Sequence, residues 1–358
     1  MYLRTYSLAE AKQIGDGISL HRLPRTPMLP KLFAKRLSSV TLMCSLMASS
    51  VVANAETAVI GIANFGPHPA LSRTISGFKE QLAKHGFIEG KTVTYAYSDA
   101  NFTPGLIPQT LAQIVSQRPK VILTVTTPVA QAAVRNVSDA RIPLVFSQVT
   151  NPIAAGLVPD WEHGSERIVG TASVTDYDAV LAFAKRIFPR AKSFGVLYNA
   201  GEVNDVAAIK SLGVAAEKAG MKMVATSVDT TIDVPQRTGT MKGLDFFYAI
   251  GSNLVQSSLP AVASVTDRLK MPILSAEHEL IRKGNLIAVA YAPSYESQGA
   301  HAADLALALM NGKKPSELAV YRPQPSDYLA LVNRKKLEQL GLTIPPEMRD
   351  CKCFVDPQ

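Results

Sequence analysis

From residue 56 onward, short apolar runs rich in β-branched residues alternate with amphipathic stretches of helical periodicity. The first run, AVIGIANF at 58–65, is followed by a helical pattern at 69–86. Two parallel strands need a crossover of a dozen or more residues between them, and a helix usually supplies it. The alternation therefore predicts an α/β fold in which parallel sheets are covered by helices.

This rhythm of strands and helices occurs twice. The first series continues with strands at 92–97, 120–125 and 142–149 and helices at 105–117 and 128–136. The second series has helices at 177–188, 203–219, 233–241 and 255–269 and strands at 193–199, 221–228, 243–250 and 271–275. Because the two series share architecture and no short sequence repeat, they predict two doubly wound Rossmann-like lobes with a ligand cleft between them, and not a solenoid.

The end of the chain predicts two further crossings between the lobes. A strand-like run at 285–292 precedes a long helix at 295–310, and a last helix is predicted at 334–340. We predict one lobe of residues 56–172 plus about 292–320, a second lobe of residues 173–291 plus about 321–347, and a polar tail at 348–358.

Residues 28–55 have the three-part pattern of an export signal. A basic region at 31–36 precedes an apolar run at 37–52 and a small-residue cleavage site at 53–55. The apolar run is shorter than the roughly 20 residues that a membrane-spanning helix needs. We therefore predict cleavage after Ala55 and a periplasmic location for the mature protein.

The net charge of +8 comes mostly from the residues before position 56. Residues 1–55 carry seven Lys/Arg and two Asp/Glu, which leaves 30 basic and 27 acidic residues in the remainder. Such a balanced surface has no basic field that would attract nucleic acid. Residues 1–27 contain acidic residues and no apolar run. We therefore interpret them as a mis-assigned start or a non-structural extension, with translation beginning at Met28.

Few residues suggest catalysis or metal binding. Apart from Cys44 in the signal, the cysteines are Cys351 and Cys353 near the chain end. Two thiols without nearby histidines make a poor metal site, so we predict no metal, no cofactor and no essential role for the pair. Sequence motifs for nucleotide binding, zinc proteases and serine hydrolases are absent, which favours a protein that is not an enzyme. A catalytic triad defined only by geometry stays open.

In open α/β sheets, ligands bind beyond the carboxyl ends of the strands. Thr126, Thr127 and Pro128 end one predicted strand and open the next helix, with Pro128 at its first position. The free N–H groups of a helix start form an anion site, so we place a ligand carboxylate there. A threonine that only caps the helix explains the pattern equally well, and both roles can hold at once.

Other polar side chains also follow predicted strand ends. Glu202 can accept a ligand ammonium, although the helix dipole alone already favours an acid at a helix start. His68 lies in a loop, where a lone histidine is more often structural than a ligand-binding group. The predicted ligand-binding set is His68, Thr126, Thr127, Gln148, Asn151, Tyr198, Asn199, Glu202, Asn204, Ser252, Asn253 and Glu277.

Several blocks between residues 58 and 346 match a known family pattern in the right order. They are HPAL (68–71), GF (77–78), GFIEGKTV (86–93), TPVAQAA (127–133), IPLVFSQVTNPIAAGLV (142–158), FGVLYNAGEVN (194–204), NGKKP (311–315) and LVNRKKLEQLGLTIP (331–345). The chain thereby resembles the solute-binding proteins of ABC transporters with the type I periplasmic-binding fold, in the branch whose characterised members bind aromatic amino acids. The resemblance implies a small-molecule ligand, hinge closure, an ABC permease in the inner membrane as partner, and a monomer.

The chain departs from the family pattern where acidic residues are common. Neutral residues occupy four such positions, Pro67, Ser72, Asn151 and Ser252. Burying an ammonium without a charge partner is costly. We therefore expect either a ligand less cationic than a free amino acid or a substitute acid, which could be Glu202, Asp176 or Glu277.

Two other functions remain compatible with the sequence. A sensor subunit would present its ligand-dependent shape to a membrane receptor, and a periplasmic hydrolase or isomerase could use the same two-lobed scaffold. Neighbouring genes for a permease and an ATPase would favour transport, whereas turnover of a bound compound would favour an enzyme.

Overall fold

The computed structural model describes residues 57–356, so the predicted export signal and the 27 residues before it lie outside the described part of the chain. A first sheet consists of five parallel strands in the order β2-β1-β3-β4-β5. These strands are β1 (Ala58–Asn64), β2 (Val93–Asp99), β3 (Ile122–Val125), β4 (Leu144–Val149) and β5 (Ile168–Ala172). The connecting helices are α1 (Pro69–Lys84), α2 (Ile107–Ser116) and α3 (Thr127–Asn136).

A second sheet of seven strands has the order β12-β11-β10-β9-β8-β6-β7. Its strands are β6 (Ser193–Tyr198), β7 (Lys222–Ser227), β8 (Phe246–Ala249), β9 (Ile273–Ser275), β10 (Val289–Pro293), β11 (Tyr328–Asn333) and β12 (Phe354–Val355). The five strands β6 to β10 are parallel and repeat the order of the first sheet. Strand β11 then runs antiparallel to β10 and extends the sheet.

Helices cover the second sheet and part of the first. They are α4 (Tyr177–Ile187), α5 (Val203–Lys218), α6 (Val234–Gly239), α7 (Asn253–Ser257), α8 (Leu259–Arg268), α9 (Glu279–Arg282), α10 (Tyr295–Met310) and α11 (Arg334–Gln339). The central strands β3 and β8 are buried at every position. A parallel strand covered on both faces requires apolar residues on both, which is why these strands appear in the sequence as continuous apolar runs. Among residues 57–356, no helix is long and apolar enough to cross a membrane.

The predicted α/β class with parallel, helix-covered sheets is confirmed. The predicted helix at 255–269 is wrong in one respect, because it consists of α7 and α8 with a break at Ser258. Pro260 lies in the first turn of α8, where its missing N–H is tolerated, and it could not continue the hydrogen bonding of α7. Likewise α3 begins at Thr127, so Pro128 is its second residue and not its first.

Three connections join the two sheets, after β5, before α10 and before β11. The hydroxyl of Tyr328 accepts a hydrogen bond from the backbone N–H of Asp176 (2.8 Å) and donates one to the carbonyl of Val174 (3.2 Å). The backbone N–H of Ser294 donates to the carbonyl of Asp327 (2.9 Å). Hydrogen bonds therefore link all three connections to one another, while the exact lobe boundaries stay a prediction.

Helix α10 packs directly against α1 beside the first sheet. Two glycines make this close approach possible, since a Cβ on Gly77 would overlap the carbonyl of Glu296 and a Cβ on Gly299 would overlap that of Thr74. Gln81 also donates a hydrogen bond to Asp304 across the same pair of helices (2.8 Å).

The predicted polar tail at 348–358 is wrong for its described residues. Met348 is fully buried, and β12 pairs with β11 at the edge of the second sheet. Cys351 and Cys353 form a disulfide, and Cys353 belongs to the core of this sheet. The apolar residues that cause this burial are few and widely spaced, so they leave no periodic pattern in the sequence.

Candidate ligand-binding site

Each sheet changes direction of winding beside its first strand, between β1 and β3 in one sheet and between β6 and β8 in the other. Ligands of open α/β sheets bind in the crevice at such switch points. His68 and Thr126 follow β1 and β3, while Glu202 and Ser252 follow β6 and β8. Four of the predicted residues therefore stand at the two switch points.

A small cavity lies among these loops. It holds about 40 Å³ of space for the centres of water molecules, and a neighbouring cavity that shares Gln148, Ser173, Gly251 and Tyr295 holds about 20 Å³. Five predicted residues line the first cavity: His68, Thr126, Gln148, Ser252 and Asn253. Loops that follow both sheets thus line one cavity.

His68 presents a hydrogen-bond donor to this cavity. Its Nδ1 accepts a hydrogen bond from the backbone N–H of Ala70 (3.3 Å) at the start of α1, so the proton of the neutral ring is on Nε2. Burial lowers the pKa of His68 to about 4, which keeps the ring neutral at physiological pH. Nε2 is buried and makes no hydrogen bond of standard distance and angle among the described residues, and the backbone of Gln256 lies near the ring. The histidine is both a helix cap and a group available to a ligand.

The loops that follow the strands of the first sheet form one side of the cavity, which we call the first-sheet wall. Two residues of this wall have strained backbones. Thr126 has a φ of 85° and Gln148 a φ of 59°, in the left-handed region that residues with a Cβ seldom adopt. Thr126 precedes α3 but its side chain makes no capping hydrogen bond, and its Oγ1 is buried and unpaired. Strain of this kind persists where the surroundings impose it and is concentrated at functional sites. The purely structural interpretation of Thr126 as a side-chain cap is therefore wrong.

The opposite side of the cavity, formed by residues that follow the strands of the second sheet, is the second-sheet wall. Gln256 supplies a hydrogen-bond acceptor from this wall. Its Nε2 donates to the carbonyls of Ala249 (3.1 Å) and Ile250 (2.8 Å), which fixes the orientation of the amide. Oε1 is then left buried and unpaired at the cavity. Gln298, which lines the neighbouring cavity, also has a buried and unpaired Oε1. Buried polar atoms normally find partners, so these groups mark a place where a ligand can supply them.

One buried carboxylate, Asp205, and one half-buried carboxylate, Glu202, lie behind the second-sheet wall at the start of α5. Glu202 accepts a hydrogen bond from Nδ2 of Asn253 (2.6 Å), and Asp205 accepts one from Nδ2 of Asn204 (2.8 Å). Burial raises the pKa of Glu202, and burial together with the charge of Glu202 raises that of Asp205 to about 7. Within the described residues, neither carboxylate forms an ion pair with a cationic side chain.

Four other predicted residues lie outside the two cavities. Thr127 is buried in the first turn of α3, and Tyr198 ends β6 and packs against the apolar core beside the second sheet. Oδ1 of Asn151 accepts a hydrogen bond from the backbone N–H of Ala154, and Oδ1 of Asn199 accepts one from that of Gly201. These two asparagines shape turns next to the site.

Two of the three proposed substitute acids have structural partners. Glu277 accepts hydrogen bonds from the backbone N–H groups of Glu279 and Leu280 at the start of α9. Asp176 caps α4 through the backbone N–H of Ala179 (3.0 Å). Glu202, by contrast, accepts a hydrogen bond from Asn253, whose side chain lines the first cavity. The sequence interpretation did not include Asp205.

The sequence interpretation also missed several cavity residues. These are Ala70, Leu71, Phe102, Ser173, Gly251, Gln256 and Tyr295. Ser173 follows β5, which was not predicted as a strand, and Gln256 lies inside a predicted helix. Recognition of β5 from its run IVGTA would have identified Ser173, whereas Gln256 has no comparable local signal.

Thr126→Val provides a direct test of the unpaired hydroxyl. The substitution keeps the β-branched shape and removes a buried polar atom without a partner, so we expect unchanged or higher stability. Ligand affinity should fall about five- to tenfold, which corresponds to one lost hydrogen bond. Thermal unfolding and calorimetric titration would measure both effects.

Thr124→Val is the matched control, because Oγ1 of Thr124 donates to the carbonyl of Val145 (3.1 Å) in the same strand region. It should reduce stability and leave ligand affinity unchanged. Equal ligand affinities of wild type and Thr126→Val would show that the Thr126 hydroxyl does not bind the ligand.

The comparisons with known proteins agree with this geometry. The model of the ABC transporter substrate binding protein family matches residues 59–350. A tyrosine-binding protein of Clostridioides difficile (strain R20291) is 30% identical over 284 residues, which are 79% of this chain and 81% of the relative.

Two solved structures have the same fold. A conserved domain protein from Vibrio cholerae is 29% identical, with a TM-score of 0.78 over 85% of this chain and 100% of that one. An ABC domain in complex with L-Trp from Streptococcus pneumonia is 21% identical, with a TM-score of 0.77 over 84% of this chain and 100% of that one. At that identity, the second likeness shows the fold alone.

Two doubly wound sheets with a cavity among their strand-end loops define a protein that binds a small molecule. The chain belongs to the ABC transporter substrate binding protein family, and the resemblance found in its sequence is confirmed. Proteins of this family work outside the cytoplasm.

Proposed function

We propose that this protein captures an aromatic amino acid or a closely related small carboxylate and delivers it to an ABC permease, as a monomer and without chemical turnover. One observation carries the proposal. Buried and unpaired polar atoms from both sheets, Nε2 of His68, Oγ1 of Thr126 and Oε1 of Gln256, belong to residues that line one cavity. A ligand with both hydrogen-bond donors and acceptors would satisfy all three.

The first-sheet wall suits the carboxylate of such a ligand. The Nε2–H of His68 is a donor, and α3 begins next to Thr126, so its first N–H groups form an anion site. The sequence-based placement of a carboxylate at this helix start is therefore retained as part of the proposal.

Aromatic side chains favour an aromatic ligand. Phe102 and Tyr295 line the first cavity, and Tyr177 and Tyr295 line its neighbour. Aromatic rings pack well edge to face, and such pairs add about 0.5–1.5 kcal/mol to the contribution of buried area. The relative named for binding tyrosine, which is 30% identical, supports the same class.

Capture would proceed by hinge closure. The cavity is lined from both sheets, so only a closed arrangement lets the ligand contact both walls. The connections beside Tyr328 supply the hinge, because they are the only covalent links between the two sheets within residues 57–356. The mature chain would begin at Glu56, after cleavage at Ala55, and act in the periplasm.

Thermal unfolding of protein that starts at Glu56 tests the proposal. The sample would be washed free of carried-over ligand and mixed with tyrosine, tryptophan, phenylalanine, other amino acids, and aromatic acids without an ammonium. A ligand at about 100 times its dissociation constant should add roughly 2.7 kcal/mol, or several degrees. Stabilisation by aromatic amino acids would support the proposal. Stabilisation by none of these compounds, or conversion of a bound one, would contradict it.

A further inference from the structure

The acids at the start of α5 have an arrangement that the fold does not require. Asp205 is 1% exposed, and its carboxylate accepts hydrogen bonds from the backbone N–H of Asn199 (2.7 Å) and from Asn204 (2.8 Å). These donors are neutral, and Glu202 adds a second negative charge one helical turn away. A buried carboxylate without a cation is costly, and the described residues provide no cation here.

Each carboxylate is separated from the cavity by a single neutral side chain. Ser252 lies close enough to Asp205 to lower its pKa, and Nδ2 of Asn253 donates to Glu202 at 2.6 Å. Both Ser252 and Asn253 line the cavity. Nδ2 of Asn204 also donates to both carboxylates, so Asp205 and Glu202 form one acidic group that reaches the second-sheet wall at Asn253 and Ser252. Little water screens its charge in this region.

A separate observation is an unpaired hydrogen-bond acceptor on the same wall. Gln256, 6% exposed, directs an unpaired acceptor oxygen at the cavity, and its amide orientation is fixed by two backbone carbonyls. His68 on the opposite wall offers a donor. Acceptors and negative charge therefore lie on one side, and a donor lies on the other.

We propose that Asp205 is a positioning residue that, with Glu202, supplies the counter-charge for the ligand's ammonium group through Ser252 and Asn253. The ligand is then a zwitterion with its ammonium at the second-sheet wall and its carboxylate at the first-sheet wall. This inference rests on the proposed capture of an amino acid and adds the residue that discriminates an amine from its deaminated analogue.

Capture should consequently depend on pH. The titratable groups that face Asp205 are Glu202 beside it and Tyr177 on α4, and burial raises the pKa of Tyr177, so this tyrosine stays neutral. Because burial also raises the pKa of Asp205 to about 7, the counter-charge is complete above neutral pH and is lost in acid. Affinity for an amine should be highest near pH 8 and decline towards pH 5.

Calorimetric titration at pH 5 to 8 would test this with tyrosine, with 3-(4-hydroxyphenyl)propionate, which lacks the ammonium, and with tyramine, which lacks the carboxylate. Asp205→Asn should weaken tyrosine and tyramine binding at least about tenfold at pH 8 and flatten the pH profile. The propionate should bind as well as before or better. Asp178→Asn, which removes an exposed acid of α4 that pairs with Lys218, is the control and should change nothing.

A relocation variant separates charge from structure. Asp205→Asn combined with Ser252→Asp returns one carboxylate to the same wall and should recover most of the tyrosine affinity. Unchanged tyrosine affinity and pH profile in Asp205→Asn would overturn the inference and leave the proposed capture intact. If the wild type bound none of tyrosine, tryptophan, phenylalanine and the propionate, the proposed function would fail. Equal tyramine binding by wild type and Asp205→Asn would then reject the counter-charge as well.

Discussion

Replacing Gly299 with alanine is expected to lower the free energy of unfolding by about 3 kcal/mol or more. A Cβ at this position would overlap the carbonyl of Thr74, which is part of the α1 backbone and cannot turn aside as a side chain can. The two helices would have to separate, and the packing between α1 and α10 would be lost over its whole length. Gly77→Ala should act in the same direction through the carbonyl of Glu296.

Gly213→Ala in α5 is the matched control, because among residues 57–356 and outside its own helical turn, a Cβ there would meet within 4 Å just the terminal methyl of Met223, at 3.4 Å. That variant should gain up to about 1 kcal/mol from higher helix propensity. Chemical denaturation of the three variants would measure the contrast. A loss of less than about 1 kcal/mol for Gly299→Ala would show that the two helices do not need to lie this close.

Asp205→Asn is expected to become more stable relative to the wild type as the pH rises from 4 to 8. Asp205 is buried, with its pKa raised to about 7, while in the unfolded chain it should titrate near 3.9. Between the pKa of the unfolded chain, near 3.9, and that of the folded protein, about 7, Asp205 of the folded wild type holds a proton that the unfolded chain does not. Its free energy of unfolding therefore falls as pH rises through this window and is constant above it. Across this window, the free energy of unfolding of Asp205→Asn relative to the wild type should rise by no more than about 4 kcal/mol.

The wild-type curve alone would hide this effect. Burial lowers the pKa of His68 to about 4 and lowers that of His278, and neutral buried histidines make the protein more stable as pH rises. Glu277, with its pKa raised to about 7, acts in the same sense as Asp205. Because these contributions oppose one another, the measurement must be the difference between variant and wild type at each pH.

Denaturant unfolding of both proteins at pH 4.5, 6 and 8, without ligand, would provide that difference. Asp178→Asn should show no comparable trend, because Asp178 is exposed and paired with Lys218. A difference that stayed constant with pH would mean that Asp205 is ionised throughout the range. A rise in stability together with a loss of tyrosine affinity would show that the buried charge is maintained for binding at the expense of stability.

The sequence predicted most of the strands that are buried on both faces, although β5, which is also buried at every position, was not predicted. Strands such as β1, β3 and β8 appear as continuous apolar runs between turn residues, so their positions are almost correct. Strands β11 and β12 were missed because they depend on pairing with a distant strand, and the polar-looking segment at 351–356 becomes a strand only when β11 is beside it. Local periodicity contains no information about such partners.

The site was partly predictable for a related reason. His68, Thr126, Ser252 and Asn253 follow strands at the switch points, so knowledge of the topology alone selects them. Gln256 and Asp205 lie within helices and reach the site through side-chain geometry. Their importance follows from an unpaired oxygen and an absent counter-ion, and neither property can be derived from residue order.

The pairing of α1 with α10 has a consequence for how the molecule forms. Gln81 and Asp304, which are hydrogen-bonded between these helices, are 223 residues apart in the chain. During synthesis the first sheet therefore cannot complete its helical layer until most of the chain has left the ribosome. Contacts this distant slow folding and leave apolar strand faces uncovered for longer. The nascent chain consequently remains open to chaperones until α10 has been made, and the two sheets become native late and together.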